Sequence, residues 1–122
     1  MLFRSEIVIL ELGGNDGLRG LPLESMRANL DELIGAFSGN GAKVVLAGMT
    51  LPRNLGADYI AAFEKIYRDL GAKRHVTLIP SFLERVGGIP ELNQDDGIHP
   101  THEGYLIITS TVLRYLEPLL KK

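Results

Sequence analysis

Glu6-Ile7-Val8-Ile9-Leu10-Glu11-Leu12-Gly13-Gly14 decides the fold of this chain. The run is short, almost continuously apolar and rich in β-branched residues. That composition belongs to a strand covered on both faces in a parallel sheet. Two glycines end it. Working outward, Leu23, Met26, Leu30, Leu33, Ile34 and Phe37 recur at helical spacing behind Pro22, which suits a first helical turn. Gly39-Asn40-Gly41 stops that helix, and Lys43-Val44-Val45-Leu46-Ala47-Gly48-Met49 reads as a second strand. Tyr59, Ile60, Phe63, Ile66, Tyr67 and Leu70 mark a second helical stripe, and Gly71 predicts its end. His75-Val76-Thr77-Leu78-Ile79, closed by Pro80, is a third strand. Ser81 to Val86 reads as a short helical turn, and most of the chain from Gly87 to Pro100 as irregular. A last helix starts near Thr101 and carries Leu106, Ile107, Leu113 and Leu116, with Glu117-Pro118 near its end. The order β-α-β-α-β-loop-α predicts an α/β fold, a parallel sheet with helices on both faces.

The length of 122 residues suits a single domain with a modest core, spanning 1–122. The chain is 45% hydrophobic and 23% charged, as ordinary globular domains are. A net charge of −2 gives no electrostatic footprint for nucleic acid or an anionic membrane. With no cysteine, disulfides, thiol catalysis and Cys-ligated zinc are excluded, while the compartment stays open. No apolar run is long enough to span a membrane. Arg4 followed by Ile7-Val8-Ile9-Leu10 has the superficial look of a signal peptide. The run is too short, Glu11 interrupts it, and no small-residue cleavage site follows, so it reads as a strand. There is no internal repeat, low-complexity tract or linker.

In open parallel sheets the chemistry collects at the carboxyl ends of the strands. That rule sends two motifs to one rim: Gly13-Gly14-Asn15-Asp16 after the first strand, and Asp95-Asp96-Gly97-Ile98-His99-Pro100-Thr101 well after the third. The second motif sets a carboxylate and an imidazole three residues apart, in a segment that Gly97 and Pro100 keep out of helix. A neutral imidazole takes a proton from a hydroxyl at working pH. Asp96 would fix the tautomer of His99 by accepting its Nδ1 proton. The plain alternative is a loop histidine beside a turn aspartate, with Asp95 the rival carboxylate. Asn15 could donate to a developing oxyanion, an interaction worth about 10²- to 10³-fold in rate. The glycines beside it would let a substrate approach the backbone. Its plain alternative is a Gly-Gly-Asn-Asp turn in which Asp16 caps locally.

Two other chemistries compete for these residues. His99 and His102 with Asp95 or Asp96 could ligate a metal, but a helix starting at Thr101 turns His102 away, so no metal site is expected. Gly13-Gly14-Asn15-Asp16-Gly17-Leu18-Arg19-Gly20 is glycine-rich between strand and helix. It fits neither G-x-G-x-x-G nor the phosphate-binding pattern that ends in Lys-Ser/Thr, although Arg19 could meet an anion. His75 is read as structural.

The stretch from Val8 to Gly20 resembles the third block of the SGNH, or GDSL-type, hydrolases, closest to the bacterial thioesterase, lysophospholipase and arylesterase branch. Asp95-Asp96-Gly97-Ile98-His99-Pro100 resembles the fifth block of that branch. The two motifs stand in the right order and the resemblance covers nearly the whole chain. It implies a flavodoxin-like three-layer α/β/α sandwich and a serine esterase acting on carboxylic esters, thioesters or lysophospholipids without metal or organic cofactor. Asn15 would be the oxyanion-hole asparagine, Asp96 the residue that orients the histidine, and His99 the general base. Gly14, Leu18 and Ile98 would line the substrate.

The family's Gly-Asp-Ser block and second-block glycine lie upstream of Gly-Gly-Asn-Asp, so the resemblance implies that two N-terminal β-α units, on the order of 60 residues, are absent. The nucleophile is therefore unidentified. Ser5 lacks a preceding Gly-Asp, Ser25 and Ser38 fall on or near a helix, Ser110 lies inside one, and Ser81 after Pro80 is the least implausible substitute. Without its neighbour the strand Ile7–Leu12 would be a long apolar edge, prone to pair with another strand. The expectation is an esterase part, inactive alone, that dimerises or pairs with an N-terminal fragment through that strand. The alternative is a non-catalytic module assembling through the same edge. Loops Gly17 to Leu21, Leu51 to Asn54 and Val86 to Asn93 would shape the pocket, with Leu51, Ile89 and Leu92 as acyl contacts or simply core.

Overall fold

In the computed structural model, which describes residues 6–14, 17, 19–97 and 99–120, the three apolar runs become three parallel strands. The chain forms two compact units, Met1–Pro80 and Ser81–Lys122. In the first, β1 (Ile7–Leu10), α1 (Leu23–Gly39), β2 (Lys43–Ala47), α2 (Ala57–Arg74) and β3 (Thr77–Ile79) alternate, with a single 3-10 turn at Arg53–Leu55. The sheet order is β1-β2-β3, with Val8 opposite Val44, Leu10 opposite Leu46, and Leu46 opposite Leu78. Parallel neighbours need a crossover, and the helices supply it.

Strand alternation divides the apolar residues. Leu10, Val44 and Leu46 join Met26, Leu30 and Ile34 of α1 and Phe63, Ile66, Tyr67 and Leu70 of α2 in one buried cluster. Full burial of each such aliphatic side chain contributes about 1.5–3 kcal/mol. Val45, Ala47 and Ile79, whose side chains leave the opposite face of the sheet, are buried outside that cluster. The outer sides of the two helices are tied by ion pairs, Arg27 to Asp69 at 3.4 Å, and Asp31 to Lys73 and Arg74 at 3.0 and 2.8 Å. Hydrogen bonds from Arg74 and then Lys73 hold the Asp31 carboxyl below the usual aspartate value.

Four boundaries differ from the sequence expectation: β1 stops at Leu10 rather than Leu12, β2 stops at Ala47 rather than Met49, and the end of α2 and the start of β3 both shift. The second helix does not stop at Gly71 but runs to Arg74. Gly71 is buried, and a Cβ there would make an ordinary contact with Leu78 of β3 at 3.4 Å, so the helix passes through this position without being ended by it. His75 ends the helix instead, in the left-handed conformation at φ 54° and ψ 41°. The longer helix leaves β3 only Thr77–Ile79, without His75 and Val76. At the other end of the sheet, β1 is an edge among the described residues, and its Ile9 is 42% exposed.

The second unit holds a run of turns, a 3-10 segment at Pro90–Leu92 and α3 (His102–Leu120). Val86, Pro100, Gly104, Ile108 and Thr111 are buried. Arg85, in the left-handed region at φ 67°, reaches the Ser110 hydroxyl at 3.1 Å, and Glu84 pairs with Arg114. Pro118 lies inside the last turn of α3, and the helix continues to Leu120. Among the described residues no helix is long and apolar enough to cross a membrane.

Candidate functional site

The described residues of the two sequence motifs fall one set in each unit. Where β1 ends, the backbone settles onto side chains of the core. Tyr67, almost completely buried on α2, donates its hydroxyl to the Leu12 carbonyl at 2.7 Å. Gly13 follows at φ 101°, a conformation that L side chains rarely adopt. A Cβ on Gly13 would also sit 2.6 Å from the Tyr67 hydroxyl and 3.2 Å from the Met26 sulfur. On Gly14 it would come 3.1 Å from the Met49 sulfur, and on Gly17 it would drive into Phe63 and Leu51 at 2.6 and 2.7 Å. The Gly17 N–H donates to the Gly13 carbonyl at 3.1 Å and closes one turn. Phe63 in turn braces Tyr67 edge-on, with ring centroids 5.4 Å apart and planes at 70°. Asn15, Asp16 and Leu18 lie outside the described residues. Next to this turn, burial pushes the Glu11 carboxyl above its ordinary value.

The seat has a counterpart at the end of β2. There the Gly48 N–H donates to the Ile79 carbonyl at 2.8 Å, and a Cβ would stand 2.7 Å from the Pro80 oxygen. Leu51 belongs to the core cluster, which accounts for its apolar character without a substrate.

The histidine motif is a hairpin. Asn93 and Pro100 pair antiparallel, the Gln94 N–H donates to the His99 carbonyl at 2.7 Å, and the Thr101 N–H donates to the Leu92 carbonyl at 2.9 Å. The Gly97 N–H closes the turn on the Gln94 carbonyl at 2.8 Å, with Gly97 at φ 70°. At the tip Asp96 grips His99 twice. Its Oδ2 lies 2.6 Å from His99 Nδ1, and its Oδ1 accepts the His99 backbone N–H at 3.0 Å. The His99 and Asp96 side chains are 65% and 44% exposed. Ile98 lies outside the described residues.

Chemically, a carboxylate on Nδ1 leaves Nε2 as the free ring nitrogen, which suits proton abstraction. Of the two aspartates in the motif, Asp96 makes this contact. His102 opens α3. Among the described residues no group of three or more His, Asp or Glu side chains is placed to hold a metal ion. Tyr67, Met49 and Asn93 were not singled out from the sequence as parts of these seats. Tyr67 sits in the apolar stripe of its helix, and no local signal marks a bond to a carbonyl 55 positions away. Asn93 reads as one more polar loop residue.

Residues 2–107 match the GDSL-like Lipase/Acylhydrolase family. The chain is 42% identical over 114 residues to the protein named Esterase TesA of Pseudomonas aeruginosa, covering 93% of this chain and 57% of that protein. It is 37% identical over 113 residues to the Thioesterase 1/protease 1/lysophospholipase L1 of Escherichia coli K12, covering 93% of this chain and 54% of that one. The chain thus spans little more than half the length of these curated relatives. Among solved structures, the crystal structure of TesA superposes with a TM-score of 0.90 at 41% identity, covering 93% of this chain and 63% of that chain.

Proposed function

The chain belongs to the GDSL-like lipase/acylhydrolase family, and from that membership we propose that it supplies the proton-handling half of a serine-type acyl ester hydrolase. The observation that carries the reading is the 2.6 Å contact between Asp96 Oδ2 and His99 Nδ1. With the Nδ1 proton held by Asp96, Nε2 takes the proton of an attacking serine hydroxyl as its oxygen bonds to the acyl carbon. The same Nε2 returns the proton to the leaving alcohol or thiol as that bond breaks. Water then repeats the sequence on the acyl-enzyme, with His99 as base again. Asn15 donates to the oxyanion of the tetrahedral intermediate, and Gly14, Leu18 and Ile98 contact the acyl chain. The relatives named esterase, thioesterase and lysophospholipase indicate the substrate class, a carboxylic ester or thioester.

On this reading the attacking hydroxyl is supplied by a Gly-Asp-Ser block, which these 122 residues do not contain. Ser25 and Ser38 are exposed on α1, and Ser110, on α3, donates its hydroxyl to the Ile107 carbonyl. The chain alone is therefore expected not to turn over a p-nitrophenyl ester. Activity is expected when the serine-bearing segment of a relative is added as a separate polypeptide, and is expected to vanish again with His99→Ala. Hydrolysis by the chain alone that Ser81→Ala abolishes would move the nucleophile to Ser81. Complemented activity that survives His99→Ala would sink the role of the histidine.

The edge position of β1 and the exposure of Ile9 favour a second reading, a module that assembles through this strand. Sedimentation of the purified chain separates the two states. A dimer that Ile9→Lys dissolves supports assembly through β1, and a monodisperse monomer rules it out.

A further inference from the structure

We infer that Asn93 is a positioning residue for His99, setting the tautomer of an imidazole it does not touch. The inference rests on the reading of Asp96 and His99 as a proton-handling pair.

The argument starts from exposure. A carboxylate and an imidazole this open to water attract each other weakly, and pairs of that kind hold little geometry on their own. Yet Asp96 meets both the ring and the backbone N–H of His99, a double contact that requires the chain between them to be fixed. The fixing lies in the hairpin base. There the Asn93 carboxamide nitrogen donates to two carbonyls of the preceding loop, Val86 at 2.8 Å and Ile89 at 2.9 Å. The backbone of the same residue pairs with Pro100, the neighbour of His99. Asn93 thus ties the arm that leads into the turn to a loop whose Val86 is fully buried. On the other arm, a Cβ on Gly104 would collide with the Leu92 carbonyl and come 3.0 Å from Pro100, so the first turn of α3 lies tightly against the base.

The chemistry of the side chain matters as well as its size. Two carbonyl oxygens converge on one NH₂ group, and only a double donor bonds both from a single side chain. An aspartate in its place would set a carboxylate against them, and a leucine would leave each with only its backbone donor, the Ile89 N–H on Val86 and the Leu92 N–H on Ile89, and remove the side-chain tie between the arm and the loop. In either case the base loosens and Asp96 loses its register on Nδ1.

The test reads the imidazole directly and needs no turnover. In the ¹⁵N-labelled full chain at neutral pH, long-range ¹H–¹⁵N correlation assigns the proton of each histidine ring. The parent is expected to hold His99 as the Nδ1–H form. Asn93→Leu and Asn93→Asp are expected to lose that signal and to show the tautomer mixture of a free imidazole, with His75 and His102 unchanged as internal references. If both variants keep the Nδ1–H form, Asn93 does not position the pair and the inference is overturned while the proposed function stands. If the parent itself lacks that form, the proposed function fails and the inference with it. Should neither variant fold, the parent decides: slowed solvent exchange of the Asn93 carboxamide protons supports the clamp, and exchange at the rate of a free amide overturns it.

Discussion

The turn after β1 and the hairpin around His99 are held by opposite means. At the first, Gly13, Gly14 and Gly17 press their backbone onto Tyr67, Met26, Met49, Phe63 and Leu51, so position is set by contact with a packed core. At the second, the two side chains of interest stand in solvent, and position is set by backbone hydrogen bonds and the Asn93 clamp. In the first arrangement an added methyl group forces a neighbour to move at Gly13, Gly14 and Gly17 alike. The second is expected to tolerate substitution at Asp96 and His99, whose side chains are largely exposed, and to fail from its base. On the proposed function the difference has a use: an oxyanion donor would need preorganisation, which rigid packing serves, while an imidazole that exchanged protons with substrate and water would need to stay accessible.

Changes that add a methyl group to the packed turn should have the largest effect on stability. Gly13→Ala combines backbone strain of about 1–3 kcal/mol with overpacking against Tyr67 of about 1–3 kcal/mol, read as a lower urea midpoint. If the midpoint barely moves, the seat is more pliable than its contacts state. Gly48→Ala tests the same rule against backbone rather than side chain, with about 1–3 kcal/mol expected because neither the Pro80 nor the Ile79 oxygen can swing away. Tyr67→Phe keeps the ring and removes the donor to Leu12, at an expected cost of about 1–3 kcal/mol.

At the hairpin tip the expectation reverses. Asp96→Ala and His99→Ala should each change stability by less than about 0.5 kcal/mol while abolishing complemented hydrolysis. A large loss of stability in either would show that the tip is structural after all and would erase the contrast between the two regions. The smallest effect belongs to Asp31. Arg74 and Lys73 hold its folded carboxyl below the unfolded value, so its contribution is present above the ordinary aspartate range and is lost as the pH falls through the folded value. The stability difference between the parent and Asp31→Asn should therefore be present at neutral pH, shrink in acid and weaken in high salt.

Much of this could be read without coordinates. The apolar runs at Ile7, Val44 and Leu78 and the helical stripes between them required parallel strands joined by helices, because hydrophobic period and chain connectivity are local properties. The spacing of Asp96 and His99 carried the pair for the same reason, since three residues across a glycine turn leave few geometries. The boundaries at Gly71 and His75 were not legible. A glycine is a common helix end, and nothing local to Gly71 marks that α2 runs on to Arg74. Tyr67 and Asn93 were hidden more deeply. A tyrosine in an apolar stripe and an asparagine in a loop acquire their roles from carbonyls that the fold delivers. Sequence alone determined which elements form and which residues have suitable chemistry. Tertiary structure decided which atoms hold them in place, because a hydrogen bond or a steric limit between distant residues exists only once packing has brought them together.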